Sequence, residues 1–179
     1  MDHQKQKLSR AEINKRVWQA VDAAMEDDVA TLQKLVLTRA HANWVTPNRQ
    51  GKSLLCGAVF TKSTEATKWL LEKGADPNTL FAHKRRIKLS DATKWSIYES
   101  PFAQAIHQRD VEIIAAFLDH GASLSIPETL HTYHGVTDCG GLLEAIGLAQ
   151  KVAAFREAKQ LACSTPPASQ VFSCSPRRL

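Results

Sequence analysis

The chain repeats itself, and this repetition limits the folds that are open to it. Ser53 and Ser100 begin similar apolar segments 47 residues apart, and Gly74 and Gly121 end similar segments at the same distance. Ala40 lies 34 residues before Gly74. These intervals fit a unit of about 33 residues, with roughly 14 residues inserted once. Such a period predicts a stack of small supersecondary units, none of which buries its apolar face alone.

The segment at residues 64–78 shows what one unit contains. Ala66, Trp69 and Leu70 recur at three- and four-residue spacing, which predicts an amphipathic helix with one buried face. Gly74 follows where a helix end favours a left-handed residue, a conformation that glycine adopts without steric cost. A helix this short is marginal in water, so it must pack against neighbours.

Other segments carry the same signals. Ser9 and Glu12 have capping-box spacing, and Asp27 and Asp28 are both predicted to cap the helix that follows them. Pro, Asn and Gly close together at residues 41–51 predict turns rather than a helix or strand. Further helices are predicted near residues 9–25, 29–36, 53–59, 100–106, 110–120, 141–146 and 150–162.

Composition excludes some classes of protein. The 179 residues carry a net charge of +5, which is mild for a nucleic-acid binder. The sequence shows no membrane-spanning apolar run and no secretory signal at its start, so we expect a cytoplasmic protein. Cys56, Cys139, Cys163 and Cys174 have no paired spacing and are expected to be reduced, the first two as small core residues.

The repeated motifs resemble those of the ankyrin repeat family. Asn48-x-x-Gly51-x-Ser53-Leu54-Leu55 is similar to the D-x-x-G-x-T-P-L opening of that repeat, and Gly74-Ala75-Asp76-x-Asn78 to its exit. The resemblance implies an all-α, ankyrin-like solenoid of about four helix-turn-helix repeats, with one long insertion between the second and third repeats. Residues 9–163 would form this domain, between a flexible segment at 1–8 and a disordered tail at 164–179. The repeats would cover approximately 17–45, 46–78, 95–127 and 139–162, and the insertion 79–94.

The sequence also departs from the family pattern. Leu54 replaces the proline of T-P-L-H, and Cys56 and Ala103 stand where its histidine is usual. We expect lower stability and looser turns from these changes, and the same fold.

The resemblance implies a protein-binding surface at the hairpin tips and at the ends of the first helices. The residues at those positions are Met25, Glu26, Arg49, Gln50, Lys52, Phe60, Thr61, Ile97, Glu99, His107 and Gln108. Trp44 joins Phe60 and Arg49 as an anchor of the residue types that dominate binding energy at interfaces. Each of these side chains could equally be an ordinary solvated surface residue.

The insertion is the most individual feature of the chain. It contains the basic residues Lys84, Arg85, Arg86 and Lys88, and long loops in compact domains are often functional. One alternative is an extended hairpin finger or short helix that presents these cations to an acidic partner. The other is a solvated insertion packed over its own apolar residues. A nuclear-localisation signal and a nucleic-acid site are weaker interpretations, because three basic residues occur often by chance and no docking helix accompanies them.

The sequence contains no recognisable catalytic motif. A zinc site at His131, His134 and Cys139 lacks a fourth neighbouring ligand and matches no known spacing. We therefore expect no enzyme activity and no cofactor. The predicted function is a monomeric protein-interaction module, an adaptor or inhibitor whose partner is another protein with an acidic surface. The alternative is a bacterial effector or toxin-neutralising protein on the same scaffold.

Overall fold

The helices follow the predicted repeat. The computed structural model describes residues 9–47, 52–83, 97–125, 131–132, 138–145 and 147–164. The predicted flexible segment at 1–8 and the tail from 165 onwards lie outside these residues. The helices are α1 (Arg10–Met25), α2 (Val29–Leu35), α3 (Arg39–Ala42), α4 (Leu54–Phe60), α5 (Thr64–Glu72), α6 (Pro101–Gln108), α7 (Val111–Asp119), α8 (Cys139–Ala145) and α9 (Ala149–Ser164). In the described ranges, none of them combines the length and apolar character needed to cross a membrane.

Polar side chains cap the starts of the helices at the positions predicted from the sequence. Ser9 and Glu12 form the predicted capping box. Ser53 Oγ accepts the Cys56 N–H at 3.2 Å, and Ser100 Oγ accepts the Ala103 N–H at 3.3 Å. Each cap satisfies a backbone donor that has no partner inside its helix, so the two helices begin in the same way.

The helix pairs stack in two layers. The first helices of the pairs (α1, α4, α6 and α8) contact one another in succession, and so do the second helices (α2, α5, α7 and α9). Leu54, Leu70 and Phe117 are buried between the layers, and the rings of Phe102 and Phe117 lie 5.5 Å apart. This confirms the all-α, ankyrin-like solenoid, in which each pair buries its apolar face against the next.

Asparagine side chains join neighbouring repeats. Asn43 donates to the Gly74 carbonyl at 3.0 Å and accepts from the Asp76 N–H at 2.8 Å. Asn78 makes the equivalent bonds one repeat later, with the Gly121 carbonyl at 3.2 Å and the Ser123 N–H at 2.7 Å. The two bonds from each amide fix one repeat exit against the next.

The ends of the long insertion pair as a small sheet. Strand β1 (Phe81–His83) runs antiparallel to β2 (Ile97–Glu99), and β2 runs parallel to β3 (His131–Thr132). The pairing joins residues on either side of 84–96, and the conformation of the insertion between them lies outside the described residues. Lys84, Arg85, Arg86 and Lys88 lie between the two strands, outside the described residues.

Some local predictions are wrong. Only Asp28 caps α2; Asp27 adopts a left-handed φ of 59°, and its carboxylate instead accepts the Ala66 N–H of α5 at 2.6 Å. The turn predicted at residues 41–51 includes the end of α3, because the Thr38 hydroxyl caps a short helix there.

The last helix is also longer than predicted. The helix expected to end near residue 162 continues to Ser164, where the tail was expected to begin.

Candidate protein-interaction surface

The turns between first and second helices have one backbone geometry. Each contains a residue with left-handed φ, namely Asp27, Lys62, Arg109 or Gly147. The residue after it donates to the carbonyl five positions earlier, as in the bond from Ser63 to Ala58 at 2.9 Å. We call these the helix-pair turns. Because they are equivalent, residues at the same offset from each turn form rows across the repeats.

The row two residues before the turns is exposed. It consists of Met25, Phe60, His107 and Ala145, which lie at the carboxyl ends of the first helices. Phe60 is 52% exposed and Met25 is 40% exposed. Large apolar side chains thus remain in solvent on two neighbouring repeats, next to the exposed His107.

Met25 lies against α4. A Cβ atom built on Gly57 would be 3.2 Å from Met25 Cγ, so the glycine leaves room for the methionine side chain. Gly57 is one helical turn before Phe60. Met25 and Phe60 therefore border the same strip of α4, although 35 residues separate them in the sequence.

The polar residues of the next row hold the turns in place. Thr61 Oγ1 bonds the carbonyls of Gly57 and Ala58 and lies 2.9 Å from Ser63 Oγ, which donates to the Met25 carbonyl. The bond from Ser63 to Met25 joins two repeats, whereas the bonds of Thr61 lie within one. The Thr61 hydroxyl is therefore committed to the fold, and the contact predicted for it would use its methyl group.

Gln108 connects the third repeat to this surface. Its Nε2 donates to the Phe60 carbonyl at 3.3 Å, while its Oε1 is buried and has no hydrogen-bond partner among the residues that the structure describes. The bond positions the end of α6 beside the end of α4. Gln108 thus helps to position Phe60, and the sequence did not indicate this role.

Lys52 reaches Phe60 from the start of α4. Its backbone bonds Thr46 through both the N–H and the carbonyl, and its Nζ lies 5.2 Å from the centre of the Phe60 ring. A cation at this distance from a ring face is attracted to it. The structure thus brings together six of the predicted contact residues, namely Met25, Lys52, Phe60, Thr61, His107 and Gln108. We call these six residues, together with the turn residues Lys62 and Arg109, the Phe60 surface.

Trp44, predicted as an interface anchor, is partly exposed. It is half-buried against the core, and its ring stacks on His41 with centroids 4.3 Å apart. Trp18 on α1 is the more exposed tryptophan, at 41%. Trp18 and Met25 are seven residues apart and therefore share a helix face, a signal that was present in the sequence.

The structure describes no side-chain positions for the following predicted contact residues. Arg49 and Gln50 lie outside the described residues, as does the basic run of the insertion. Ile97 and Glu99 are backbone members of β2, opposite His83 and Phe81.

The described residues do not form the zinc site that the sequence analysis considered at His131, His134 and Cys139. Cys139 is fully buried in the core, where desolvation and, less strongly, Asp138 raise the pKa of its thiol to about 11. Cys56 is buried as well. His134 lies outside the described residues, and within them no three His, Cys, Asp or Glu side chains cluster as metal ligands. Asp138 instead caps α8 by accepting the Gly141 N–H at 2.9 Å.

Comparison with known proteins gives structural likenesses only. No protein-family model matches this chain, and no curated protein matches it. Among solved structures, the human ASB11 ankyrin repeat domain is similar, at 23% sequence identity and a TM-score of 0.47. The match covers 63% of this chain and 44% of that one, so it spans less than half of the solved domain.

Proposed function

We propose that this ankyrin-like chain is a protein-interaction module, an adaptor or inhibitor, that binds a partner protein through the Phe60 surface. The observation that carries the proposal is the exposure of Phe60 at 52% on a helix end fixed by contacts from three repeats. An exposed aromatic side chain has apolar surface in contact with water, and a bound partner would bury that surface. Its position is set before binding, which reduces the entropy lost on association.

The neighbouring side chains fit the anatomy of an interface. Met25 extends the apolar area beside Phe60, while Lys52 and His107 supply a polar border. Aromatic anchors near the centre of a contact surface commonly carry much of the binding energy, and the polar border excludes water from them. Phe60 is the natural centre of this arrangement.

The basic insertion is a second proposed contact. The pairing of β1 with β2 holds its two ends together, and the run of Lys84, Arg85, Arg86 and Lys88 lies between them. Negative charge on the partner would speed its association with these four basic residues. Arg49, Gln50, Ile97 and Glu99 complete the proposed set of loop contacts.

Quantitative affinity purification tests the role of Phe60. The tagged wild-type chain should recover a specific partner, and Phe60→Ala should weaken that partner's binding by at least roughly tenfold, since hot-spot truncations remove about 2 kcal/mol or more. Leu161→Ala is the matched control, because Leu161 is an exposed apolar residue on α9. Equal recovery by wild type and Phe60→Ala, with unchanged melting temperatures, would contradict the proposal.

A separate variant tests the insertion. Replacing Lys84, Arg85 and Arg86 by Glu should reduce capture of the same partner without lowering the melting temperature. Unchanged capture would remove the insertion from the proposed interface and leave the role of Phe60 intact.

A further inference from the structure

One basic side chain contacts Phe60, and two others follow Phe60 or its hydrogen-bond partner Gln108 closely in the sequence. Lys52 Nζ lies over its ring, and Lys62 follows it by two residues in the helix-pair turn. Arg109 comes directly after Gln108, whose amide bonds the Phe60 carbonyl. Lys62 and Arg109 are both exposed. One exposed aromatic ring therefore has cations from its own repeat and from the next.

These cations are not neutralised within the described ranges of the chain. Neither Lys62 nor Arg109 forms an ion pair there, and Lys52 contacts a ring rather than a carboxylate. The second helices differ in this respect. There Lys68 pairs with Glu112, and Arg156 pairs with Asp119 at 2.7 Å.

The backbone at Lys62 and Arg109 favours a different residue. Their φ values are 60° and 56°, in the left-handed region that disfavours a residue with a side chain. The equivalent position in the fourth repeat is Gly147, with φ 67°. The fold accepts glycine at this position, so Lys62 and Arg109 stand where any side chain carries a local conformational cost. Strain of this kind is a reason to look for a function of the side chain.

The first repeat has the opposite charge. Asp22 and Glu26 are exposed near the end of α1, beside Met25. A bound carboxylate would be repelled at this end and attracted at the ends of α4 and α6. The surface is therefore apolar in its middle and electrostatically polarised from the first repeat to the third.

We infer that the Phe60 surface binds a short acidic segment of its partner protein, in which an apolar side chain packs on Phe60 and Met25 and carboxylates pair with Lys52, Lys62 and Arg109. This inference rests on the proposed function and specifies the chemistry of the partner. The acidic residues of the segment lie toward the third repeat, and its apolar residue lies toward the first. Because Lys62 and Arg109 are exposed and Lys52 is partly exposed, binding weakens as salt concentration rises.

Selection of peptides on the intact chain tests this chemistry. Short random peptides displayed on phage should be enriched for sequences with Leu or an aromatic residue next to Asp or Glu. Synthetic copies should bind the wild-type chain in solution, and copies with Asn and Gln in place of Asp and Glu should bind at least roughly tenfold more weakly.

The double variant Lys62→Gly/Arg109→Gly removes both charges without imposing strain. Because glycine adopts this backbone conformation without steric cost, the variant should be at least as stable as the wild type. It should bind the acidic peptides at least roughly tenfold more weakly. Lys34→Gly/Lys151→Gly is the charge-matched control on α2 and α9, and it should leave peptide affinity unchanged. A circular-dichroism melt of each variant verifies its fold.

Several outcomes overturn the inference. They are enrichment of no peptide, enrichment without acidic residues, equal binding of the amide copies, and unchanged affinity of the Lys62→Gly/Arg109→Gly variant. Equal binding of a single-stranded oligonucleotide at the same residues, or dimerisation of the chain through them, also overturns it. If the partner captured through Phe60 still binds the double variant, the proposed function stands and only the acidic chemistry fails.

Discussion

At the residue scale, two glycines in the same backbone conformation have different surroundings. Gly74 ends the second repeat with φ +85°, and Gly121 ends the third with φ +81°. A Cβ on Gly74 would lie 3.0 Å from Arg39 Cγ, whereas a Cβ on Gly121 would meet no atom of the described residues within 4 Å. The two sites therefore share a conformational requirement and differ in steric contact.

This difference leads to a prediction about alanine substitution. Gly121→Ala should lower the free energy of unfolding by about 1 kcal/mol, the cost of a left-handed residue that carries a side chain. Gly74→Ala should cost more, because its methyl group must also displace Arg39. Urea unfolding of the two variants measures the difference.

Arg39 provides the control. In an Arg39→Ala background the costs of the two glycine substitutions should become similar, since the obstructing side chain is gone. If Gly74→Ala still costs more than Gly121→Ala there, the contact with Arg39 is not the cause.

At the element scale, α2 depends on its cap. It has seven residues, and Asp28 Oδ1 accepts the Thr31 N–H at 2.9 Å at its start. Hydrogen bonds from Thr31 hold the pKa of the Asp28 carboxyl below its ordinary value. A helix this short gains little from its own hydrogen bonds, so the cap and the packing against α1 and α5 maintain it.

The cap predicts a pH dependence. A carboxyl whose pKa is lowered by folding contributes stability above its unfolded pKa, and that contribution is lost as the pH falls below about 4. Asp28→Asn can still accept the Thr31 hydrogen bond and does not titrate. Its urea midpoint should therefore fall less steeply than that of the wild type between about pH 5 and pH 3.

Asp22→Asn is the control for this comparison. Asp22 lies on α1, and in the described part of the chain its carboxylate caps no helix. The variant should keep the wild-type slope. Equal slopes for Asp28→Asn and the wild type would show that protonation of the cap does not affect stability.

At the scale of the whole molecule, each helix pair is stabilised by its neighbours. The last pair has a neighbour in the described structure on one side, through α6 and α7. Val152 is buried at the start of α9, and Arg156 then pairs with Asp119 of α7. Beyond Arg156 the described side chains of α9 are exposed. In a stack of repeats, such an end pair opens more easily than the middle.

Hydrogen exchange should show this gradient. Amides in α8 and α9 should exchange faster than those in α4 to α7 under native conditions. Val152→Ala removes about 2 kcal/mol of burial and packing, so it should speed exchange in α9 and α7 and leave α1 unchanged. Lys151→Ala, at an exposed neighbouring position, is the control. A uniform increase across all helices would indicate that the chain unfolds as one unit.

The sequence determined the stacked helix pairs, because their signals are local. The Ser53 and Ser100 caps, the Gly74 helix end and the three- and four-residue apolar spacing each act within one or two helical turns. The 47-residue interval between repeated motifs then indicated the stacking. The expected Asp27 cap was wrong because a residue of the next repeat, Ala66, supplied a donor that no local pattern shows.

Only the tertiary structure decided which of the predicted contact residues form one surface. Gln108 reaches the Phe60 carbonyl across 48 residues of sequence, and Met25 reaches Gly57 across 32. Helical periodicity assigns each side chain to a face of its own helix, but the neighbouring repeat determines whether that face is covered. Trp44 is thus half-buried by its neighbours, whereas Phe60 remains exposed.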